Sequence, residues 1–518
     1  MSASTRCTSG SPRKMCFDET GKPPIKTGWA ETNKGTECEP NVRCRWVAKD
    51  FRREPRPDLY AATPPLEALK MILSEAATNT EEDQVIAIID VRRAYFYAKA
   101  RRRVFVELPP EDWQEGDEDM CGLLLASLYG TRDAAQNWEE EILGAMQKMG
   151  MRRGTASPCI YRHEVRGLAA SVHGDDVTIT GRRREVQWFI DGMKKAYDVK
   201  IQVIGAQKNE GKQAMILNRT VRWKNEGIEL EADERHAKEI IQALGLERAQ
   251  ASSAPCTSEA SAARPCRRHP EQTAQKEKEI GEELDATVEG EMLDANWAST
   301  FRALAARFNY LSQDRPDLKF GTMQVCTAMA NPTTLDWARL KRMGRYLVGR
   351  PRAACLFAWQ WGNLPISGYS DADWGGDKSS RRSVSGGCIM RGGHCLKVWC
   401  KKQQVIALSS AESELYAGLR TAAESLGMQS IGKDLGIDAP VELHMDSSAA
   451  LSLVSRAGLG RAKHIEMQHL WLQDAVRKGR LSTHKVPSDD NPADLMTKPM
   501  GEQRIEYLMR TMSYHYVG

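Results

Sequence analysis

VHGDDVTI, residues 172–179, is the stretch that decides the fold of this chain. Apolar and β-branched residues flank a short turn that contains a glycine, and this pattern predicts a β-hairpin. The turn carries two adjacent carboxylates, Asp175 and Asp176, whose repulsion is costly unless a cation lies between them. The alternative is an ordinary Asp-Asp turn, since aspartate is common in turns that bind no metal.

A third acid, Asp90, ends the apolar run VIAII of residues 85–89, which predicts a buried strand. Tyr95 follows Asp90 after five residues. A polymerase needs a metal-binding acid and, close to it, a bulky ring against the sugar of the incoming nucleotide. The spacing therefore indicates a polymerase site, and the alternative for Tyr95 is an aromatic residue of the core.

Composition indicates a soluble globular protein with about three domains, since 41% of the 518 residues are hydrophobic and 27% are charged. The net charge of +4 is small, but basic residues cluster in 41–57, 101–103 and 182–184. Such clusters are typical of phosphate-facing surfaces or of solvated charged faces. Thirteen cysteines without a Cys-x-x-Cys pair indicate reduced thiols in an intracellular protein, and no run of about 18 apolar residues predicts a membrane span.

A second set of acids lies downstream of residues 251–291, whose Ser-, Ala-, Pro-, Glu- and Lys-rich composition predicts a linker. From Ile366 the pattern predicts strand, hairpin, helix, strand, helix and strand, the order of a compact α/β domain. Four acids fall at the strand ends and helices of this domain: Asp371, Glu414, Asp446 and Asp494. We expect the two sets of acids to form separate metal centres.

Together these stretches resemble, in order, the reverse transcriptase and ribonuclease H portion of a copia-type LTR retrotransposon polyprotein. The resemblance covers roughly residues 27–500. Ten stretches carry it: Arg43–Lys49 (KARLVAKG), Asp90–Tyr95 (DVxxAF), Leu128–Trp138 (LYGLKQAPRAW), His173–Asp176 (YVDD), Phe301–Asp317 (YRSLVGSLLYLTxTRPD), Lys341–Gly349 (AKRILRYLKG), Gly368–Gly375 with Ser383–Gly386 (GYSDADWAGD…STSG), Lys401–Tyr416 (KKQxxVALSSTEAEY), Ala462–Glu466 (TKHID) and Asn491–Pro499 (QLADILTKPL).

The resemblance implies an α+β, right-hand-like polymerase with fingers, a palm and a reduced thumb or connection, followed by an α/β ribonuclease H-like domain. The expected segments are a disordered N-terminus (1–26), fingers and palm (27–250), a linker (251–291), a helical thumb or connection (292–365), a ribonuclease H-like domain (366–500) and a C-terminal tail (501–518).

For the polymerase site, the resemblance implies that Asp90, Asp175 and Asp176 are the catalytic acids. Asp90 and Asp175 are expected to be the direct ligands of two Mg²⁺ ions. Arg45 matches an arginine that contacts the incoming triphosphate, a role that suits its planar, multi-donor guanidinium. Tyr95 matches the ring that excludes a ribose 2′-hydroxyl and so selects deoxynucleotides.

For the nuclease site, the resemblance implies that Asp371, Glu414, Asp446 and Asp494 hold two Mg²⁺ ions across the scissile phosphate of an RNA strand. Mn²⁺ is the alternative metal in both sites. Glu412 competes with Glu414 for this role, and we prefer Glu414 because Leu415 and Tyr416 follow it directly.

The sequence departs from the family at His173-Gly174, where Tyr-Val is usual, and at 131–135, where the usual proline is lost. The family's fingers segment before about Gly28 is missing or replaced, and protease, integrase and nucleocapsid portions are not recognised. We therefore expect a truncated gene model or an element remnant.

The expected activity is RNA-directed DNA polymerisation combined with ribonuclease H cleavage. Its expected partners are an RNA template, a DNA primer, an RNA–DNA hybrid and deoxynucleoside triphosphates, with no membrane. The expected location is a cytoplasmic particle, the nucleus or both. The alternatives are an inert remnant that only binds nucleic acid, and ribonuclease H activity alone.

Overall fold

The computed structural model describes residues 7–33, 39–51, 59, 61–79, 83–113, 115–257, 290–377, 380–456, 458 and 470–517. The motif at 462–466, most of the predicted linker and most of the basic residues at 52–57 lie outside this part of the chain. Among the helices that the structure describes, none is both long enough and apolar enough to cross a bilayer.

The described helices are α1 (Arg13–Thr20), α2 (Leu66–Ala76), α3 (Ala134–Lys148), α4 (Arg183–Ala196), α5 (Arg235–Ala243), α6 (Ala295–Leu311), α7 (Lys319–Thr327), α8 (Thr334–Gly349), α9 (Ser410–Asp434), α10 (Ser448–Ser455), α11 (Trp471–Arg477) and α12 (Glu502–Thr511). Short 3₁₀ helices include Ala94–Tyr97 and Pro492–Met496.

The described strands are β1 (Thr8–Pro12), β2 (Thr27–Asn33), β3 (Val42–Ala48), β4 (Gln84–Val91), β5 (Phe105–Val106), β6 (Met120–Leu124), β7 (Arg152–Arg153), β8 (Ile160–His163), β9 (Leu168–His173), β10 (Asp176–Arg182), β11 (Val199–Gly205), β12 (Gln213–Ile216), β13 (Arg219–Trp223), β14 (Gly227–Ala232), β15 (Ala353–Ala358), β16 (Ile366–Asp373), β17 (Val384–Arg391), β18 (His394–Lys402), β19 (Val441–Met445), β20 (Ser482–Lys485) and β21 (Tyr514–Tyr516).

The chain forms two compact units. The first comprises Met1–Ile72, Asp83–Val203 and Asp434–Gly436, and the second comprises Leu73–Glu82, Ile204–Lys433 and Ile437–Gly518. This division does not follow the predicted boundary at residue 250, because strands β12–β14 form a sheet with the later strand β15.

The first unit is built on a sheet with the strand order β11-β4-β10-β9-β8-β7. The predicted hairpin is its centre, since β10 pairs antiparallel with both β9 and β4. Helix α4 covers this sheet with Val186, Phe189, Ile190 and Met193, whose spacing places them on one helical face. Strands β4, β9 and β10 contribute the opposing apolar side chains of the same core.

The N-terminal segment 1–26, which we expected to be disordered, is ordered from residue 7 onward. Strand β1 pairs antiparallel with β6, more than 100 residues along the chain. Cys7 and Cys16 are fully buried, and Cys16 packs with Phe105 and Cys121. The prediction failed because the pairing partner is distant and the segment itself is polar, so local composition does not reveal the contact.

The second unit contains two five-stranded sheets among its described residues. The first has the order β12-β13-β14-β15-β21, and the buried faces of α5, α6, α7 and α8 form a core beside it. The segment 501–518, predicted to be a tail, instead contains α12 and the edge strand β21. Tyr516 of β21 hydrogen-bonds Tyr346 (2.7 Å), whose hydroxyl also donates to the buried carboxylate of Asp317 (2.9 Å).

The second sheet of this unit has the order β18-β17-β16-β19-β20. Strand β16 is central, antiparallel to β17 and parallel to β19, and β19 is parallel to β20. Helix α9 packs against this sheet at Gly368, where an added Cβ would lie 2.3 Å from Ser425 Oγ. The central strand thus carries Asp371 to the end of the sheet where α9 begins.

Candidate active sites: two carboxylate clusters

The hairpin turn between β9 and β10 brings two of the predicted polymerase acids face to face. Gly174 and Asp175 form the two-residue turn, and Gly174 has a φ of 61°, a left-handed conformation that favours glycine at this position. Asp176 is the direct cross-strand partner of Asp90, and it also pairs with His173. Asp175 accepts a hydrogen bond from the backbone of Val91 (2.9 Å) through its own carbonyl.

Repulsion among these carboxylates is visible in their titration. The pKa of Asp176 is raised to about 6, first by burial and then by the charges of Asp175 and Asp90. A bound cation would offset this repulsion. The sequence assigned direct metal binding to Asp90 and Asp175, whereas the strand register places Asp176 opposite Asp90.

His173, which stands where the family has tyrosine, lies beside this turn. Burial lowers its pKa, and the nearby charge of Asp175 acts in the opposite direction. Its Nδ1 atom is buried and has no hydrogen-bond partner among the described residues. The ring therefore presents a neutral imidazole at the edge of the carboxylate site.

Trp138 holds the tip of the hairpin. Its indole Nε1 donates a 2.7 Å hydrogen bond to the carbonyl of Gly174, and its ring is buried on helix α3. The ring also packs edge-on against Tyr197, with centroids 5.5 Å apart. Sequence reasoning placed Trp138 in a motif without giving it a role, because its partner is a backbone atom 36 residues away.

Replacement of Trp138 by phenylalanine removes this hydrogen bond and keeps an aromatic ring. We expect the free energy of unfolding to fall by about 1–3 kcal/mol, since the Gly174 carbonyl loses its donor and part of the indole's packing is lost. Trp113→Phe is the control, because its Nε1 donates to the carbonyl of Leu108 (3.1 Å) at an exposed position. Urea denaturation measures both variants, and equal losses would contradict a special role for Trp138.

Arg45, Tyr95 and Asp175, predicted to act together, are linked through Tyr129. The rings of Tyr95 and Tyr129 have centroids 4.8 Å apart, and the guanidinium of Arg45 lies 5.6 Å from the Tyr129 ring. Burial and then the charge of Asp175 raise the pKa of both tyrosines. Tyr129 was not assigned a role from the sequence, although it lies in the same motif as Trp138.

The loop that carries Tyr129 touches strand β3 through its backbone. Ala48 donates a 2.8 Å hydrogen bond to the Tyr129 carbonyl, and Gly130 follows with a φ of 84°. A Cβ at Gly130 would lie 2.1 Å from the Ala48 carbonyl oxygen. Glycine is therefore required here for two reasons, its left-handed backbone and this close approach.

Gly130→Ala is expected to destabilise the protein by about 2–4 kcal/mol, the sum of the left-handed strain and the backbone clash. Gly167→Ala is the matched control, since Gly167 has a φ of 64° and open space around its Cβ position. We expect that control to lose only about 1 kcal/mol. Chemical denaturation of both variants measures the difference, and similar losses would refute the proposed clash.

The basic cluster at 101–103 is occupied by ion pairs. Arg102 contacts Asp50 (2.9 Å) and Asp133 (2.7 Å), and Arg103 contacts Glu19 (2.7 Å). Arg101 pairs with Glu140. These charges are compensated within the protein, which favours a structural role for this cluster over a phosphate-facing surface.

In the second unit, Asp371, Glu414 and Asp446 form the tighter cluster. One oxygen from each carboxylate lies within 4.8 Å of the other two. Asp371 lies on the central strand β16, Glu414 lies near the start of α9, and Asp446 directly follows β19. In the part of the chain that the structure describes, this is the one group of three such ligands with that convergence.

The electrostatics of this cluster fit a divalent cation. Burial, Asp371 and Asp446 together raise the pKa of Glu414 to about 9. Burial and then Asp494 raise the pKa of Asp371 to about 7. Glu414 Oε2 is buried without a hydrogen-bond partner among the described residues. A hard divalent ion with oxygen ligands, such as Mg²⁺ or Mn²⁺, matches this donor set.

Asp494, the fourth predicted acid, lies beside the cluster but outside this group of three. Its carboxylate accepts from Lys498 Nζ (2.8 Å) and from Arg504 (3.3 Å). Thr497 donates from its hydroxyl to Asp371 and so orients that carboxylate. Gly386 permits this packing, since a Cβ there would lie 2.8 Å from side-chain atoms of Met496 and Thr497.

The two neighbouring glutamates of α9 have different surroundings. Glu412 accepts a hydrogen bond from the backbone of Leu408 (2.9 Å) and another from the hydroxyl of Tyr416. Glu414 instead faces Asp371 and Asp446. The geometry therefore places Glu412 at the start of the helix as a structural group and Glu414 in the cluster.

Residues 16–258 match the family described as "Reverse transcriptase (RNA-dependent DNA polymerase)". This match covers the hairpin turn, the facing aspartates and the tyrosine pair, so the chain contains a reverse transcriptase domain.

Curated relatives match over most of the chain. The Retrovirus-related Pol polyprotein from transposon TNT 1-94 of Nicotiana tabacum is 24% identical over 96% of this chain and 36% of its own length. The Pol polyprotein from transposon RE2 of Arabidopsis thaliana is 24% identical over 90% of this chain and 30% of its own length. The chain belongs to the family of copia-type retrotransposon Pol polyproteins, and it spans about a third of the length of these relatives.

A solved structure of the foamy viral protease-reverse transcriptase in complex with RNA/DNA hybrid is also similar. It aligns with a TM-score of 0.48 and 9% sequence identity, over 92% of this chain and 53% of the viral chain.

Proposed function

We propose that the first unit is an RNA-directed DNA polymerase and that the second unit is a ribonuclease H-like nuclease that cleaves the RNA of an RNA–DNA hybrid. The observation that carries the polymerase proposal is the register that sets Asp176 opposite Asp90 at the end of a reverse transcriptase hairpin. The convergence of Asp371, Glu414 and Asp446 carries the nuclease proposal.

In the polymerase site, Asp90, Asp175 and Asp176 would hold divalent metal ions, with Trp138 fixing the turn between them. Bound Mg²⁺ or Mn²⁺ supplies Lewis-acid stabilisation of charge on phosphate oxygens. Arg45 binds the triphosphate of the incoming nucleotide, and Tyr129 supports it. Tyr95 packs against the nucleotide sugar and excludes a 2′-hydroxyl.

In the nuclease site, Asp371, Glu414 and Asp446 would hold the metal ions, again Mg²⁺ or Mn²⁺. Thr497 keeps Asp371 oriented, and the Lys498–Asp494 pair places a positive charge beside the cluster. The substrates of the two units are an RNA template with a DNA primer and deoxynucleoside triphosphates, and the hybrid that this synthesis creates.

Nuclease activity alone is the second candidate. It is favoured by the tighter convergence of the nuclease acids, since Asp90, Asp175 and Asp176 do not form a group of that kind among the described residues. Assays of the intact chain for primer extension on RNA and for cleavage of a labelled hybrid, both with Mg²⁺, separate the candidates. Cleavage without extension would establish the nuclease alone, and salt-sensitive binding without either turnover would establish an inert remnant.

A further inference from the structure

Three rings form a stacked column across three neighbouring strands of the second unit. Tyr369 of β16 stacks on His444 of β19 with centroids 4.7 Å apart and planes 19° apart. His444 in turn stacks on His484 of β20, at 5.2 Å and 25°. The three residues are direct partners in the strand register, so the column runs straight across the sheet.

The column lies one step from the carboxylate cluster. Asp371 is two residues beyond Tyr369 on β16, and Asp446 is two residues beyond His444, just past the end of β19. Residues two apart along a strand share a face and are separated by about 7 Å. Lys485, next to His484, donates to the Asp446 carbonyl and to Ser448 Oγ (2.7 Å). The column and the cluster therefore border one surface.

The column ends in an exposed ring at a sheet edge. Strand β20 is the edge strand of the described sheet, and His484 is exposed. Ser482 Oγ hydrogen-bonds His484 Nε2 (2.8 Å), and Glu442 accepts from His444 Nε2 (3.2 Å). These bonds hold the rings in position, so the outer face of His484 is fixed and open.

Packing alone does not account for this arrangement. Adjacent sheet positions are stabilised best by β-branched and aromatic side chains that bury apolar surface. Two successive histidines, one of them exposed, bury little such surface. A pre-oriented column of π-faces with a free end has instead the geometry on which nucleic-acid-binding proteins stack unpaired bases.

We propose that His484, backed by His444 and Tyr369, is a stacking site for an unpaired nucleobase of the strand bound at the neighbouring carboxylate cluster. This inference rests on the nuclease function proposed above for the second unit. It names a substrate feature, since a hybrid with a single-stranded RNA overhang offers an unpaired base and a blunt hybrid does not. Any base can occupy the site, because every base has a π-face.

The test measures binding without turnover. The intact chain is titrated in EDTA with two hybrids, one blunt and one carrying an RNA overhang that contains 2-aminopurine, whose fluorescence falls on stacking. We expect the unmodified protein to bind the overhang hybrid about tenfold more tightly than the blunt one and to quench the probe. His484→Ala is expected to lose both effects, and His484→Phe is expected to retain them because it keeps a ring.

His515→Ala is the matched control, since His515 is a partly exposed histidine on the other sheet of the same unit. Unchanged overhang preference in His484→Ala, or a loss in His484→Phe equal to that in His484→Ala, would overturn the proposal. A lower melting temperature of His484→Ala with unchanged binding would likewise assign the column to sheet stability. Ring-dependent quenching by a protein that cleaves no hybrid would refute the nuclease function and leave the stacking site standing.

Discussion

Glu414→Gln is expected to reduce cleavage of an RNA–DNA hybrid by about 1,000-fold or more, equivalent to about 4 kcal/mol of lost transition-state stabilisation. The substitution keeps the size of the side chain and removes the negative charge from the centre of the cluster. One oxygen of Glu414 lies within 4.8 Å of oxygens of both Asp371 and Asp446. A neutral amide at this position cannot share a divalent ion with them as a carboxylate does.

Glu412→Gln provides the matched control, two residues away on the same helix. Its oxygen can still accept from the Leu408 backbone, so the start of α9 is preserved. We expect Glu412→Gln to retain hybrid cleavage within about threefold, since its carboxylate does not face the cluster. The assignment of Glu414 would be wrong if the two variants cleaved equally well, or if Glu412→Gln were the inactive one.

The second large effect is expected at the polymerase turn. Asp175→Asn should reduce primer extension on an RNA template by about 1,000-fold, because charge is removed from a site that binds metal and triphosphate. We expect Asp176→Asn to lose extension as well, since Asp176 lies directly opposite Asp90. A gel-based extension assay with Mg²⁺ measures both variants at equal concentrations of folded protein.

Asp191→Asn controls for the loss of a carboxylate elsewhere in the first unit. Asp191 lies on α4 and accepts from Gln187 (2.8 Å) at an exposed position. Its substitution should leave extension unchanged. Full extension by Asp176→Asn with none by Asp175→Asn would favour the assignment made from the sequence over the one that the register suggests.

Local patterns in the sequence were sufficient to predict the elements that carry the sites. The hairpin at 168–182, strand β16 and helix α9 follow from alternation, turn residues and helical periodicity. Their acids were placed correctly at strand ends and at a helix start, because a short segment determines these positions. The choice of Glu414 over Glu412 rested on the apolar pair that follows it, and the geometry agrees.

Contacts between distant segments were beyond such patterns. The hydrogen bond from Trp138 to Gly174 and the approach of Gly130 to Ala48 join residues far apart in the chain. The same reason explains why strands β1 and β21 were missed, since each is stabilised by pairing with a remote strand. The ion pairs of Asp494 also depend on tertiary placement, because Arg504 reaches it from α12.

The central claim is that two independent carboxylate sites serve two reactions. A crossed assay tests it most directly, with the intact chain, Asp175→Asn and Glu414→Gln each measured for primer extension and for hybrid cleavage. We predict that Asp175→Asn loses extension and keeps cleavage, and that Glu414→Gln loses cleavage and keeps extension. Loss of both activities in either folded variant, or of neither in both, would contradict the account.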